Sequence, residues 1–277
     1  KTLEGHSRGV ISVCWSPDGK YLASGLAYSG TVIIWDVKRG QELKTLVGHS
    51  YSVISVCWSP DGKYLASGSK DETVKIWDAN SGQRLKTLKG HSNFVNSVCW
   101  SPDGKYIASG SYDKDIVIWN ASNGQKVRTL YEYYKSVTDV AWSPDGNYLA
   151  CGYGDENIIL YNPNNGTLLD TLKGDVYDVY SLAWSPDGEY LASGDGVGHI
   201  VLWDSDTKEK VKTLEGDWAY VYSLAWSPDG RYLASGLGNN NVVIWDVNSG
   251  QKLKTLKGHS YKVNSVCWSP DGKYLAS

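Results

Sequence analysis

The chain has 277 residues, of which 41% are hydrophobic and 21% charged, with 30 glycines, a single phenylalanine and no methionine. A net charge of −3 argues against a nucleic-acid partner, and no apolar run approaches the ~20 residues needed to span a bilayer. One closed domain of this length can bury a large core. The opening KTLEGHS has no apolar leader segment, so the chain is expected to be a processed or excised domain. Four of the five cysteines, Cys14, Cys57, Cys99 and Cys267, stand directly before a tryptophan, in a slot filled elsewhere by Ala141, Ala183 and Ala225. They act as small apolar groups. No CxxC pair suggests zinc, no disulfide framework is expected, and a reducing, cytoplasmic setting fits this usage.

In chain order, Lys1–Leu3 reads as a short strand, and a repeating unit begins just after it. WSPDG recurs at Trp15, Trp58, Trp100, Trp142, Trp184, Trp226 and Trp268, first after 43 residues and then every 42. A second marker falls at Trp35-Asp36, Trp77-Asp78, Trp119-Asn120, Tyr161-Asn162, Trp203-Asp204 and Trp245-Asp246. In the second unit, Val53–Trp58 is an apolar strand suited to burial on both faces. SPDG turns the chain, with Pro presetting φ and Gly supplying a left-handed residue. YLASG, Thr73–Asp78 and Gln83–Leu88 complete four strands a to d. Helical periodicity is absent, so the fold class is all-β. Ser260–Ser277 supplies strands a and b of a last unit.

Four-stranded units of this period, with GH near the start and WD near the end, resemble the WD-repeat β-propeller family over the whole chain. The resemblance implies one domain over 1–277, a seven-bladed ring of antiparallel blades with strand a innermost. The last blade lacks strand c and is closed by the N-terminal strand within 1–5 against 260–277. It also implies a buried Trp–Ser–His–Asp network in each blade. The complete sets are His49, Ser67, Asp71, Trp77 and His91, Ser109, Asp113, Trp119. Blade one keeps His6, Ser24 and Trp35 without the Asp, and blade four has Tyr133, Cys151, Asp155 and Tyr161. Blades five and six place Asp175 and Asp217 at the His position, with Val197 and Asn239 at the turn-Asp position.

Catalysis finds no support in the pattern. Four histidines fall in the network slot, His199 sits at a turn edge and is expected to be solvated, and the seven SPDG aspartates are turn formers. No nucleophile elbow, phosphate loop or metal spacing occurs, and no cofactor is implied. Lys44, Lys86, Arg128, Lys212 and Lys254 lie on the outermost strands, where lysine discourages edge pairing.

Variation collects in the d–a heads and the b–c turns, which the family's geometry places on one face. Large aromatics gather there: Tyr51, Phe94, Tyr134, Tyr177, Trp218, Tyr220 and Tyr261. A varied, aromatic face on a repeated frame reads as a binding surface. The candidate site is Tyr134, Asp139, Asp175, Tyr177, Asp178, Tyr180, Asp217, Trp218, Tyr220 and Tyr222. Aromatic faces beside carboxylates suit a Lys- or Arg-bearing peptide. The expected partner is therefore a protein or peptide, with no membrane and no nucleic acid. The chain is expected to be a monomer that can associate through its incomplete blade. Small-molecule or sugar binding at the channel mouth, and a purely structural repeat module, are the other readings. Repeats this regular arise by recent amplification or by deliberate design.

Overall fold

The structure, a computed structural model, describes residues 2–130, 135–173 and 177–277. Among them regular structure is strand alone, arranged as six four-stranded antiparallel sheets and one two-stranded sheet rather than seven complete blades. The described chain divides into two compact units at Val137. In the first, blade one is Val10–Trp15, Tyr21–Leu26, Thr31–Asp36 and Gln41–Val47; blade two is Val53–Trp58, Tyr64–Ser69, Thr73–Asp78 and Arg84–Lys89. Blade three is Val95–Trp100, Tyr106–Ser111, Ile116–Asn120 and Lys126–Leu130. In the second, blade four is Val137–Trp142, Leu149–Tyr153, Asn157–Tyr161 and Leu168–Lys173. Blade five is Val179–Trp184, Tyr190–Asp195, His199–Asp204 and Lys210–Glu215. Blade six is Val221–Trp226, Tyr232–Leu237, Val242–Asp246 and Lys252–Leu256, followed by the short pair Cys267–Trp268 and Leu275–Ala276.

The expected bounds of strands a and c in blade two are met, while strand d begins one residue later, at Arg84. At the ends one expectation is corrected and one is met in shortened form. Thr2–Gly9 carries no strand, and Lys1 lies outside the described residues. Ser260–Ser277 supplies the expected antiparallel pair, shortened to two residues per strand, with Val263 and Val266 buried against Ala234 and Val242 of blade six.

Each SPDG turn is built identically. In the first, Gly19 takes a φ of 68°, the Ser16 hydroxyl donates to Asp18 at 2.7 Å, and Ser16 Oγ accepts the Tyr21 amide at 2.9 Å. The core lies between successive blades within each unit. Ala23, Val32, Ile34 and Leu46 of blade one pack on Val53, Val56, Trp58 and Leu65 of blade two, and similar clusters join blades two to three, four to five and five to six. Strands b and c are therefore buried on both faces while strand d is largely exposed.

The Trp–Ser–His–Asp networks close where the motif is complete. Trp77 Nε1 donates to Ser67 Oγ at 2.8 Å, His49 Nε2 meets that oxygen at 2.7 Å, and His49 Nδ1 meets Asp71 at 2.8 Å. Blade three repeats this with Trp119, Ser109, His91 and Asp113. Blade one retains only the bonds of Ser24 to Trp35 at 2.9 Å and to His6 at 3.0 Å. In blade four the hydroxyls of Tyr153 and Tyr161 stand 3.4 Å apart, Cys151 is buried, and Asp155 accepts the Asn157 amide at 3.0 Å. Tyr133 lies outside the described residues. In blade six Ser235 accepts from Trp245 at 3.0 Å, while Asn239 only caps the Asn241 amide.

Alanine at His49 takes one buried partner each from Ser67 and Asp71, which keep their bonds to Trp77 and to Ser50 and Thr73, and should cost about 1–3 kcal/mol in denaturant unfolding. His6→Ala, with no carboxylate to strand, should cost measurably less; equal losses would contradict the network. Stability should also fall in acid. Burial alone would raise the Asp113 carboxyl, but hydrogen bonds from His91 and the Ser92 amide outweigh it and hold it at about 2, against 3.8 unperturbed. A carboxyl depressed on folding adds stability that is complete above its unfolded value and lost as pH falls through the folded one. Burial lowers His49 as well, so it destabilises in the same direction as pH drops below 6.5. Urea midpoints should therefore decline from pH 6 to pH 2. Asp113→Asn should start lower and decline less between pH 4 and 2.

Candidate functional site

Strand a of a blade does not pair evenly with strand b. Val179 faces Asp195 and Ser181 faces Gly194, so Tyr180 is an extra residue, a β-bulge. Tyr222 is bulged likewise between Val221 and Ser223, as are Ile11, Ile54 and Asn96 in their blades. A bulge turns its side chain away from the regular alternation, and it stands where sheets often re-aim residues for binding. The strand-a position that carries tyrosine in blades five and six is thus a structural exception in the frame.

Those two bulges bring three rings together. The Tyr180 centroid lies 5.2 Å from Tyr220 at 72° and 5.8 Å from Tyr222 at 78°, both edge-on. Tyr220 and Tyr222 lie 5.7 Å apart at 30°. Gly196, in the b–c turn of blade five, makes room for them: a Cβ there would stand 3.2 Å from Tyr180 and 3.3 Å from Tyr220. Burial first, then the charge of Asp178 and the two neighbouring tyrosines, raises the Tyr180 hydroxyl above its ordinary value, so it stays protonated. The ammonium of Lys262 sits 4.2 Å over the Tyr222 ring.

Of the residues expected at the site, Tyr180, Tyr220 and Tyr222 converge. Asp178 and Tyr177 flank them, with Tyr177 6.3 Å from His199. Trp218 is 84% exposed on the head of blade six. Asp217 is exposed and bonded to Lys252 at 2.8 Å, rather than replacing the histidine in a network. Asp139 stands apart. Its carboxylate accepts the Leu182 amide at 2.8 Å, taking the part played elsewhere by serine: Ser12 accepts Val56, Ser55 accepts Val98 and Ser223 accepts Val266. Tyr134 and Asp175 lie outside the described residues.

The sequence reading missed Lys262 and Gly196, and it placed His199 in solvent. His199 instead pairs through Nδ1 with Asp195 at 3.1 Å, and Asp195 also accepts the amides of Val197, Gly198 and His199. The replacement of Ser69 and Ser111 by Asp195, four residues before a histidine, was the available signal. Among the described residues, no group of three or more His, Cys, Asp or Glu side chains could hold a metal ion.

Comparison with known proteins agrees with these blades. The model for the WDR19 first beta-propeller matches 138–277, and that for the WD domain, G-beta repeat matches 1–36, 40–78 and 82–120. The chain belongs to the WD-repeat β-propeller family. Propellers of this kind generally act as protein-interaction scaffolds, typically without catalysis. Similar curated proteins include a subunit of chromatin assembly factor 1 from Gallus gallus and the same protein from Mus musculus, each 46% identical over 43 residues. Those matches cover 16% of this chain and 7% of the relatives' own length.

If Gly196 makes the space for the cluster, Gly196→Ala should shift the aromatic proton resonances of Tyr180 and Tyr220. The added methyl should change stability by less than about 1 kcal/mol. Unmoved resonances would show that the rings do not pack on this turn.

Proposed function

We propose that the chain is a non-catalytic scaffold that binds a Lys- or Arg-bearing peptide on the loop face of blades five and six. In this reading it is a cytoplasmic, seven-bladed ring whose last blade contributes strands a and b. The seven WSPDG turns support that count. One observation carries the ligand chemistry: the group already holds an ammonium, that of Lys262 over Tyr222. Aromatic faces attract cations by ~0.5–2 kcal/mol each, and more when the site is shielded from water. Asp178 adds a charge contribution that salt weakens. Tyr177, Tyr220 and the highly exposed Trp218 supply the rigid apolar area typical of interface anchors. Lys262 acts as a tethered cation that a ligand's cation displaces.

Titration of the chain against basic, neutral and acidic peptides tests this. Binding of the basic set should weaken about tenfold or more in Tyr180→Ala and in Trp218→Ala, a loss of the size that aromatic anchors carry. It should strengthen in Lys262→Met and stay unchanged in Arg8→Ala, on the head of blade one. A preference for acidic peptides, or indifference to Trp218, would overturn the reading.

A further inference from the structure

A groove of about 390 Å³ opens between blades two and three, on the side of the SPDG turns. Its apolar surface includes Tyr64, Leu85 and Trp100, and it is also lined by Asp61, Asp103 and Ala121. The Tyr64 and Trp100 rings are stacked with centroids 6.4 Å apart at 21°. Leu85 is 45% exposed.

The second unit repeats the stacked ring pair with a lysine laid on it, and Asp170 stands there at the repeat position of Lys86. Between blades four and five, Tyr148 and Trp184 are stacked in the same way, at 5.9 Å and 22°. Lys208, on the turn between strands c and d of blade five, lays its ammonium 3.9 Å over the Tyr148 ring and donates to the Ser205 carbonyl. By the repeat, Tyr148 corresponds to Tyr64, Ser205 to Ala121, and Lys208 to Gly124. Gly40, Gly82, Gly124, Gly166 and Gly250 hold that turn position with φ near 75°, and Lys208 adopts 64°. A lysine therefore occupies a conformation that disfavours side chains, and its ammonium reaches into the groove.

We infer that the groove between blades two and three is a second binding site, for a lysine side chain of a partner protein. The ammonium would lie on the Tyr64 ring and donate to the Ala121 carbonyl, as Lys208 does to its counterparts. The aliphatic stem would lie along Leu85 and Trp100. Asp61 and Asp103 complement the charge. Their present partners, Lys63 at 3.4 Å and Lys105 at 3.1 Å, are largely exposed, and such pairs are readily given up. Lys86 also lines the groove, its stem lying against Gly124. This site lies in the first unit and stands independently of the tyrosine cluster.

The test uses the whole chain and two probes, Nα-acetyl-lysine N-methylamide and its norleucine analogue, which keeps the stem without the charge. The readout is the Trp100 indole N–H, which donates to the Cys57 carbonyl at 3.2 Å. The lysine probe should shift that resonance saturably and the norleucine probe should not. Tyr64→Leu should weaken binding about two- to fivefold, the effect of one partly exposed cation–π contact. Gly124→Lys, which places a tethered lysine as Lys208 is placed, should abolish the response. Equal shifts from both probes, no shift from either, or full binding in Gly124→Lys would overturn the proposal.

Discussion

One hydrogen bond between neighbouring blades sets everything else. In the middle of strand a, a side-chain oxygen accepts the amide of the next strand a: Ser12 from Val56, Ser55 from Val98, Ser223 from Val266. A second bond runs back two residues further on, where the indoles of Trp58, Trp100, Trp184 and Trp226 donate to the carbonyls of Cys14, Cys57, Ala141 and Ala183. Both satisfy groups that would otherwise be buried unpaired, so the offset from blade to blade cannot slip without cost. In those four blades the tryptophan of WSPDG is an inter-blade residue, whereas the buried indoles of Trp142 and Trp268 make no such bond and the tryptophan of WD belongs to its own blade's network.

Because that offset is constant, residues at one repeat position come together in space. Tyr180 and Tyr222 are 42 residues apart in sequence, and each stands on the bulge that precedes a serine bonded to the next strand a, Ser181 donating to the Val221 carbonyl and Ser223 accepting the Val266 amide. Asp139 shows the constraint from the other side. It breaks the serine pattern in composition yet keeps the bond, its carboxylate receiving the Leu182 amide. Its charge serves the frame.

The blades were legible because each rule is local: SPDG for the turn, apolar runs for strands a to c, and a spacing that repeats. The complete networks at His49 and His91 followed from the family's motif in the same way. Other features needed geometry that spacing does not carry. Lys262 reaches Tyr222 from the next repeat, and nothing in the string YKV marks a cation above a ring. Asp217 matched the histidine slot in register, but its short side chain turns outward to Lys252. His199 was misjudged because its partner, Asp195, lies within the same turn, where the repeat comparison directs attention to a different position.

Frame and head thus act as separable parts of each repeat, the frame through inter-blade bonds and the head through what it presents. Replacing Asp217–Ser223, DWAYVYS, by His91–Ser97, HSNFVNS, exchanges a head while keeping the valine and the bonded serine. The decisive measurement is a basic-peptide titration of that grafted chain, run once its melting midpoint is found within about 4 °C of the parent, a stability change near 1 kcal/mol. The account predicts that peptide binding is lost while the fold persists. Binding at the parent's affinity would contradict it.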